Sequence, residues 1–304
     1  MDRIAFVFAG QGAQAPGMGK DLYENIASVR PYFDRAEAIR PGTLKQCFEG
    51  PAEELAQTIN AQPCLFLVDY ACAVAAREIA GQPAFAAGFS LGEMAAAAFS
   101  GILTFEEAFR LVLKRAKLMQ DAAEKHPGAM FAVVKLPAEK VAELCRGLNE
   151  AYPVNFNAPG QTVVACAQET AEALVAAARA EGGRAIRLNV SGAFHSPFMR
   201  PATEGMQAAL AGTRFSAPAM PLYANLTARP YLMGQEADTL SGQISSPVRW
   251  QETVEHMISE GVRLFIEVGP GNTLSGLIQK IDPLVEAIPV GGLEGLAALK
   301  GRVS

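Results

Sequence analysis

The sequence is poor in the residues that build disulfide frameworks and metal sites. Its 304 residues include five cysteines and three histidines. The cysteines are odd in number, lie far apart along the chain and form no C-x-x-C pair, which argues against a disulfide-stapled scaffold. We interpret them as reduced, inert core thiols, and we expect no bound metal.

Excess positive charge and long apolar runs are also missing. The chain has 26 Lys and Arg against 31 Asp and Glu, a net charge of −5, which is the opposite of the electrostatic footprint of a nucleic-acid-binding protein. Residues 4–9 are too few for the core of a signal peptide. No later stretch has the about 18 uncharged apolar residues of a membrane span. We therefore expect a cytoplasmic monomer with no nucleic-acid or membrane partner.

What is present is the composition of an ordinary globular protein, 50% hydrophobic and 19% charged. At about 150 residues per domain, the length predicts two domains or one large domain with an insert. Strand-like segments at residues 3–9 and 84–87 alternate with helical segments at 64–80, 93–100 and 104–125. This alternation is typical of an α/β fold.

The pattern changes between residues 128 and 190, where six short segments read strand, helix, strand, strand, helix, strand. That order is typical of a ferredoxin-like unit. The fold prediction is therefore an α/β body, formed by residues 1–127 and 191–304, with a small ferredoxin-like (βαββαβ) subdomain inserted at residues 128–190.

A candidate nucleophile lies in residues 88–92, with the sequence GFSLG, between a short strand and a helix. In that context G-x-S-x-G predicts a nucleophile elbow, in which the glycines avoid a steric clash and the hydroxyl of Ser90 is exposed at the helix N-terminus. The backbone N–H of Leu91 would then face developing negative charge. An ordinary Gly/Ser turn is the alternative.

A serine nucleophile needs a base within hydrogen-bond reach, most often a histidine. His126 falls in a turn at the apparent domain junction, and His256 falls in a helical segment rich in glutamate, so both are interpreted as surface residues. His195 follows the inserted unit in a loop of small and apolar residues. Elimination favours His195 as the base, although a loop histidine can also have no catalytic part.

Arg115 is a candidate anion ligand on the helix predicted at residues 104–125, for which Thr104 and Glu107 supply a capping box. Its neighbours three and four residues away are all apolar: Leu111, Val112, Leu118 and Met119. A guanidinium beside this buried stripe of apolar side chains needs an anion to balance its charge. That anion could belong to a ligand or to a core carboxylate, or the side chain could extend outward to solvent.

The glycine-rich loop at residues 10–15, GQGAQA, satisfies the G-x-G-x-x-G/A pattern after a strand. A dinucleotide site would also need an acidic residue at the end of a second strand, about 20 residues on. Asp34 instead falls in a segment that reads as helix, which argues against a nicotinamide site. The N–H of Gln11 could instead contribute to an oxyanion hole.

Taken together, these residues resemble the malonyl-CoA:acyl carrier protein transacylases of fatty acid and polyketide synthesis. The likeness covers essentially the whole chain and implies a hydrolase-like α/β body with a ferredoxin-like insert. The matching segments, in order, are residues 8–14, Gln62-Pro63, residues 88–93, Arg115 with Met119-Gln120, residues 155–157, residues 192–196 and residues 267–271.

The resemblance implies that Ser90 accepts a malonyl group from coenzyme A and that His195 acts as base and then acid. It also implies that Arg115 binds the malonyl carboxylate. The partners would be malonyl-CoA and an acyl carrier protein, with no cofactor, since the coenzyme A thioester is the substrate. The resemblance further implies an oxyanion hole from the amides of Leu91 and Gln11, and orientation of His195 by the main-chain carbonyl of Gln243. Phe194, beside the histidine, resembles the malonyl-type pattern of polyketide acyltransferases, and Gln62 and Asn157 match family residues near the site.

Two positions depart from the commonest family sequence. Phe89 replaces a histidine often found before the nucleophile, and Met94 stands where an aromatic residue is common. These changes put acyl selectivity and resistance to hydrolysis in question, but not catalysis. The competing functions are a serine hydrolase or thioesterase that uses the same elbow, and a catalytically silent module that binds a carrier protein.

Overall fold

The computed structural model describes residues 3–190 and 192–303. Nine strands and fourteen α-helices are found in that part of the chain. The strands are β1 (Arg3–Phe8), β2 (Phe85–Gly88), β3 (Gly128–Val134), β4 (Ala151–Ala158), β5 (Gln161–Ala167), β6 (Arg184–Arg187), β7 (Leu222–Tyr223), β8 (Val262–Val268) and β9 (Glu286–Val290).

The helices surround two separate sheets. They are α1 (Lys20–Asn25), α2 (Arg30–Ile39), α3 (Thr43–Glu49), α4 (Ala52–Leu55), α5 (Thr58–Ala80), α6 (Leu91–Phe99), α7 (Phe105–Lys125), α8 (Ala138–Arg146), α9 (Ala171–Ala180), α10 (Arg200–Leu210), α11 (Glu236–Gly242), α12 (Trp250–Ser259), α13 (Thr273–Ile281) and α14 (Leu293–Val303).

The larger sheet is parallel and has the order β7-β2-β1-β8-β9. Its central strand is buried on both faces, as parallel sheets usually are. Phe6 and Phe8 pack into the core that includes α5, α6 and α7, whereas Ala5 and Val7 face the core that includes α12 and α13. The alternating direction of strand side chains produces this division. The predicted α/β class is confirmed.

The smaller sheet is antiparallel and has the order β4-β5-β3-β6. Helices α8 and α9 cover one of its faces and share a core with Phe131, Val133 and Val164. The six segments predicted between residues 128 and 190 are all present, in the predicted order. The subdomain limits proposed at residues 1, 191 and 304 lie outside the described residues.

Helix α5 begins earlier than the sequence indicated. The sequence pattern placed its start at residue 64, but the helix starts at Thr58 and Pro63 lies inside it. The extra turn is held by tertiary contacts that a local pattern does not reveal. The side chain of Gln11 donates to Thr58 Oγ1 at 3.2 Å, and the N–H of Ile59 donates to Gln120 Oε1 at 3.1 Å.

Helix α5 is also long and apolar enough to cross a bilayer by length and composition, with a mean hydropathy of 1.3. Within the protein, however, 83% of that apolar window is buried. Core packing therefore accounts for its apolar character. It runs through the main core, where its residues contact strand β8 and helices α6, α7 and α14.

The five cysteines are free and buried, as the sequence indicated. Burial raises the pKa of Cys145 to about 12 and also raises that of Cys166. Cys47 and Cys64 are neighbours in space despite their separation along the chain. A hydrogen bond between them raises the pKa of Cys47 and lowers that of Cys64.

Candidate active site

The G-x-S-x-G segment forms a sharp turn between β2 and α6. Ser90 occupies it with φ 54° and ψ −102°, in a region that residues with side chains rarely adopt. A Cβ on Gly88 would lie 1.9 Å from the carbonyl carbon of Gly92, and one on Gly92 would lie 2.2 Å from the carbonyl oxygen of Phe8. The predicted steric need for both glycines is confirmed.

His195 lies against the hydroxyl of Ser90. Its Nε2 is 2.7 Å from Ser90 Oγ, and its Nδ1 is 2.8 Å from the main-chain oxygen of Gln243. A carbonyl oxygen can only accept a hydrogen bond, so Nδ1 carries the proton and Nε2 is free to accept from the serine. Desolvation by burial, with a further contribution from the charge of Arg115, lowers the pKa of His195 to about 4. The imidazole is therefore neutral near pH 7.

The other two histidines lie away from this pair. His126 is exposed, as the sequence indicated. His256 is half-buried rather than fully on the surface, because its Nδ1 is 2.7 Å from the carbonyl oxygen of Ala228. Among residues 3–190 and 192–303, no group of three His, Cys, Asp or Glu side chains is arranged to hold a metal ion.

Arg115 is completely buried beside the serine. Its Nη1 donates to Gln62 Oε1 at 2.8 Å, and its Nη2 donates to Ser90 Oγ at 3.2 Å and to Gln243 Oε1 at 3.1 Å. Its Nε has no hydrogen-bond partner. Burial lowers the pKa of Arg115 to about 10, which leaves it charged at neutral pH.

The two structural alternatives for Arg115 are wrong. The side chain does not reach solvent, and in the part of the chain that the structure describes no carboxylate lies within 4.0 Å of it. Its partners are neutral oxygens. Glu93 raises the pKa of Arg115 through its charge without forming an ion pair. A buried guanidinium next to a nucleophile, with no ion-pair partner among the described residues, is suited to receive an anion from a ligand.

Gln62 and Gln11 extend this polar cluster. The side-chain amide nitrogen of Gln62 is 3.4 Å from Gln11 Oε1 and 3.4 Å from the sulfur of Met119. The amide nitrogen of Gln243 also donates to the main-chain oxygen of Ser90 at 3.2 Å. The family resemblance implied a role for the carbonyl of Gln243, but nothing in the sequence pointed to these side-chain contacts.

The serine and histidine line a cleft of about 430 Å³ between the two sheets. Gln11, Phe89 and Phe194 line it too, as do Asn155 and Asn157 from strand β4. The side-chain oxygens of both asparagines are buried without a hydrogen-bond partner. Leu91 begins helix α6, so its N–H has no acceptor within the helix.

A second groove, larger and more open at about 750 Å³, lies at Phe131, Val175 and Arg187 on the small sheet. It contains neither Ser90 nor His195.

Sequence reasoning missed a buried network beneath the elbow. Asn225 accepts a hydrogen bond from the N–H of Ser90 at 2.6 Å and donates one to the carbonyl of Gly88 at 2.5 Å. Its own N–H donates to Glu93 Oε2 at 3.2 Å, and the hydroxyl of Tyr231 donates to Glu93 Oε1. Burial raises the pKa of Glu93 to about 8. Glu93 ends the matching segment 88–93, but no sequence motif marks Asn225 or Tyr231.

Comparison with known proteins agrees with this geometry. The family model described as "Acyl transferase domain" matches residues 5–287. This chain belongs to that acyl transferase family. The match includes most of β1, the elbow, α7, the small sheet and the loop of His195. It therefore covers every residue of the site described above.

Relatives of the acyl transferase are similar over nearly their whole length. The chain is 38% identical to the malonyl CoA-acyl carrier protein transacylase of Bacillus subtilis, covering 95% of this chain and 94% of that protein. It is 37% identical to the transacylase of the same name from Escherichia coli K12, covering 98% and 99%.

Solved structures of the family superimpose closely. The malonyl CoA-acyl carrier protein transacylase of Clostridium perfringens is 32% identical with a TM-score of 0.95, over 99% of this chain and 97% of that one. A malonyl-transacylase solved in complex with a type II polyketide acyl-carrier protein is 34% identical with a TM-score of 0.93, over 99% of both chains.

Proposed function

We propose that this acyltransferase moves a malonyl group from malonyl-CoA to the phosphopantetheine thiol of an acyl carrier protein, in fatty acid or polyketide biosynthesis. The observation that carries the proposal is that a hydrogen-bonded serine and histidine lie next to a buried guanidinium that forms no ion pair within the described residues. The pair supports acyl transfer, and the guanidinium supports selection of an acyl group that ends in a carboxylate. The full-length relatives support the same reaction.

In the first half-reaction Ser90 attacks the thioester carbonyl, and its proton passes to Nε2 of His195. The main-chain oxygen of Gln243 fixes the histidine tautomer and stabilises the imidazolium that forms. The N–H groups of Leu91 and Gln11 hold the oxyanion. As the C–S bond breaks, the imidazolium returns its proton to the departing coenzyme A thiolate, and a malonyl ester remains on Ser90.

In the second half-reaction the carrier thiol gives its proton to His195 and attacks the ester carbonyl. The C–O bond to Ser90 then breaks, and the imidazolium reprotonates the serine. The kinetics are ping-pong because coenzyme A leaves before the carrier reacts. None of these steps uses a cofactor or a metal.

Arg115 is the proposed ligand of the malonyl carboxylate. Two parallel N–H donors match the two oxygens of a carboxylate. Gln62 and Gln243 hold the guanidinium in place, which gives Gln62 a role that the resemblance alone left open. An acetyl group brings no anion to this buried cation.

The lining residues extend the binding site. Asn157 and Asn155 line the cleft, where their side-chain amides would meet the amides of a pantetheine arm. Phe194 and Phe89 supply apolar walls. Phe89 packs edge-on against Trp250, with ring centroids 5.5 Å apart, and so takes a structural part in place of the histidine common in the family.

We also propose the finer fold assignment: a hydrolase-like body formed by residues 1–127 and 191–304, with a ferredoxin-like subdomain at 128–190. The order β4-β5-β3-β6, antiparallel throughout, supports the ferredoxin-like reading. The strand-elbow-helix arrangement supports the hydrolase-like one. A cytoplasmic, monomeric enzyme remains the prediction.

Intact-mass spectrometry tests the proposed function. Wild-type protein incubated with malonyl-CoA should gain one malonyl group, and Ser90→Ala should gain none. Addition of acyl carrier protein should then remove the group and give malonyl carrier protein. Release of free malonate faster than transfer would favour the hydrolase alternative, and no adduct on wild type would favour a silent binding module.

A further inference from the structure

We infer that Asn225 is a positioning residue for acyl transfer: it holds the nucleophile elbow in its reactive shape from beneath. This inference rests on the proposed function, because it assumes that Ser90 is the acylated residue. The side chain of Asn225 bridges the two backbone groups that flank the turn, the carbonyl of Gly88 and the N–H of Ser90.

The fold brings Asn225 to the elbow through a strand pairing. Strand β7 lies parallel to β2, with Ala86 opposite Leu222 and Ala87 opposite Tyr223. Parallel strands end at the same edge of a sheet, so the residues that follow β7 lie beside the residues that follow β2. Asn225 comes two residues after β7 and meets the elbow there.

The two hydrogen bonds define the orientation of the amide. Only the side-chain oxygen can accept from the Ser90 N–H, and only the side-chain nitrogen can donate to the Gly88 carbonyl. A side chain that bridges these two backbone groups must therefore accept a hydrogen bond at one atom and donate one at another. An ionised Asp at this position offers two acceptors and no donor, and Ala offers neither an acceptor nor a donor.

The elbow needs this support because its backbone is strained. Ser90 has a positive φ, a strained conformation that persists only where the surrounding structure imposes it. Since the N–H of Ser90 is occupied by Asn225, the neighbouring N–H of Leu91 is the one left to face the oxyanion. A turn that relaxed would move both the Oγ of Ser90 and that N–H.

Glu93 and Tyr231 fix Asn225 in turn. Glu93 accepts from the main-chain N–H of Asn225 and from the hydroxyl of Tyr231. Asn225 and Glu93 are buried, and Tyr231 is half-buried. Tyr231 is therefore one step further from the nucleophile than Asn225. Its loss should have a smaller effect.

The test measures the rate of malonyl adduct formation in Asn225→Ala and Asn225→Asp. We expect kcat for transfer to fall about 10²-fold, the effect of misplacing a reacting group by about 1 Å, with little change in KM for malonyl-CoA. Tyr231→Phe should lose less than Asn225→Ala. Circular dichroism and melting curves check that each variant is folded.

Thr170→Val is the matched control for lost stability. Thr170 Oγ1 donates to the carbonyl of Asn149 at 2.7 Å in the small subdomain, so this variant also loses a buried hydrogen bond to the backbone. It should lower the melting temperature and keep kcat. Should Asn225→Ala keep kcat within twofold of this control, or lose activity through KM alone, the positioning role is wrong. A wild-type protein that is never acylated on Ser90 would instead overturn the proposed function.

Discussion

Replacement of Arg115 by alanine is expected to remove the preference of the enzyme for malonyl over acetyl groups. Each hydrogen bond between the guanidinium and a carboxylate contributes about 1.5–3 kcal/mol. Binding of malonyl replaces the contact of the guanidinium with Ser90 Oγ, while Gln62 and Gln243 continue to hold it, so the net effect is smaller than the gross sum. A net loss of about 2–4 kcal/mol corresponds to about a 30- to 1000-fold fall in kcat/KM.

The measurement is kcat/KM for adduct formation with malonyl-CoA and with acetyl-CoA, by rapid-quench mass spectrometry. The malonyl value should fall within that range, while the acetyl value should change little. Arg110→Ala removes a cation from the exposed face of the same helix and should alter neither value. An equal loss with both substrates in Arg115→Ala would refute the carboxylate-binding role.

Two further predictions concern the base and the elbow. Because the pKa of His195 is lowered to about 4, the imidazole stays neutral above that pH. The value of kcat/KM should therefore be flat from about pH 6 to 8 and should fall only as the pH drops through about 4. A fall centred near pH 6.5 would instead show an unperturbed histidine. Gly88→Ala should destabilise the fold by about 3 kcal/mol in urea melts because its methyl group would meet the backbone of Gly92. Gly276→Ala, on helix α13 with no heavy atom within 4 Å, should instead stabilise it by about 0.5–1 kcal/mol, and comparable melts for the two variants would contradict the steric argument.

The parts of the site that could be predicted are those with a local signature. The elbow of Ser90 follows from glycine sterics, and the burial of Arg115 follows from helical spacing, because both depend on residues within a few positions. His195 was reached by elimination among three histidines. Its bond to the carbonyl of Gln243 was implied only by family resemblance, since main-chain groups leave no mark on the sequence.

The parts that could not be predicted depend on pairing between distant strands. Asn225 lies 135 residues from Ser90 and reaches it only because β7 adds to the sheet beside β2. The start of helix α5 was missed for a similar reason. Its first turn is held by side chains of Gln11 and Gln120, which lie far from it in the sequence.

The direction of the parallel sheet has a practical consequence. Strand β1 runs toward the cleft, so Arg3 lies at the opposite end of the strand from the loop of Gln11. The five steps between Arg3 and Phe8 span about 17 Å. A purification tag, or a surface tether joined ahead of Arg3, would emerge on the side remote from the serine and leave the mouth of the cleft open to a docking protein.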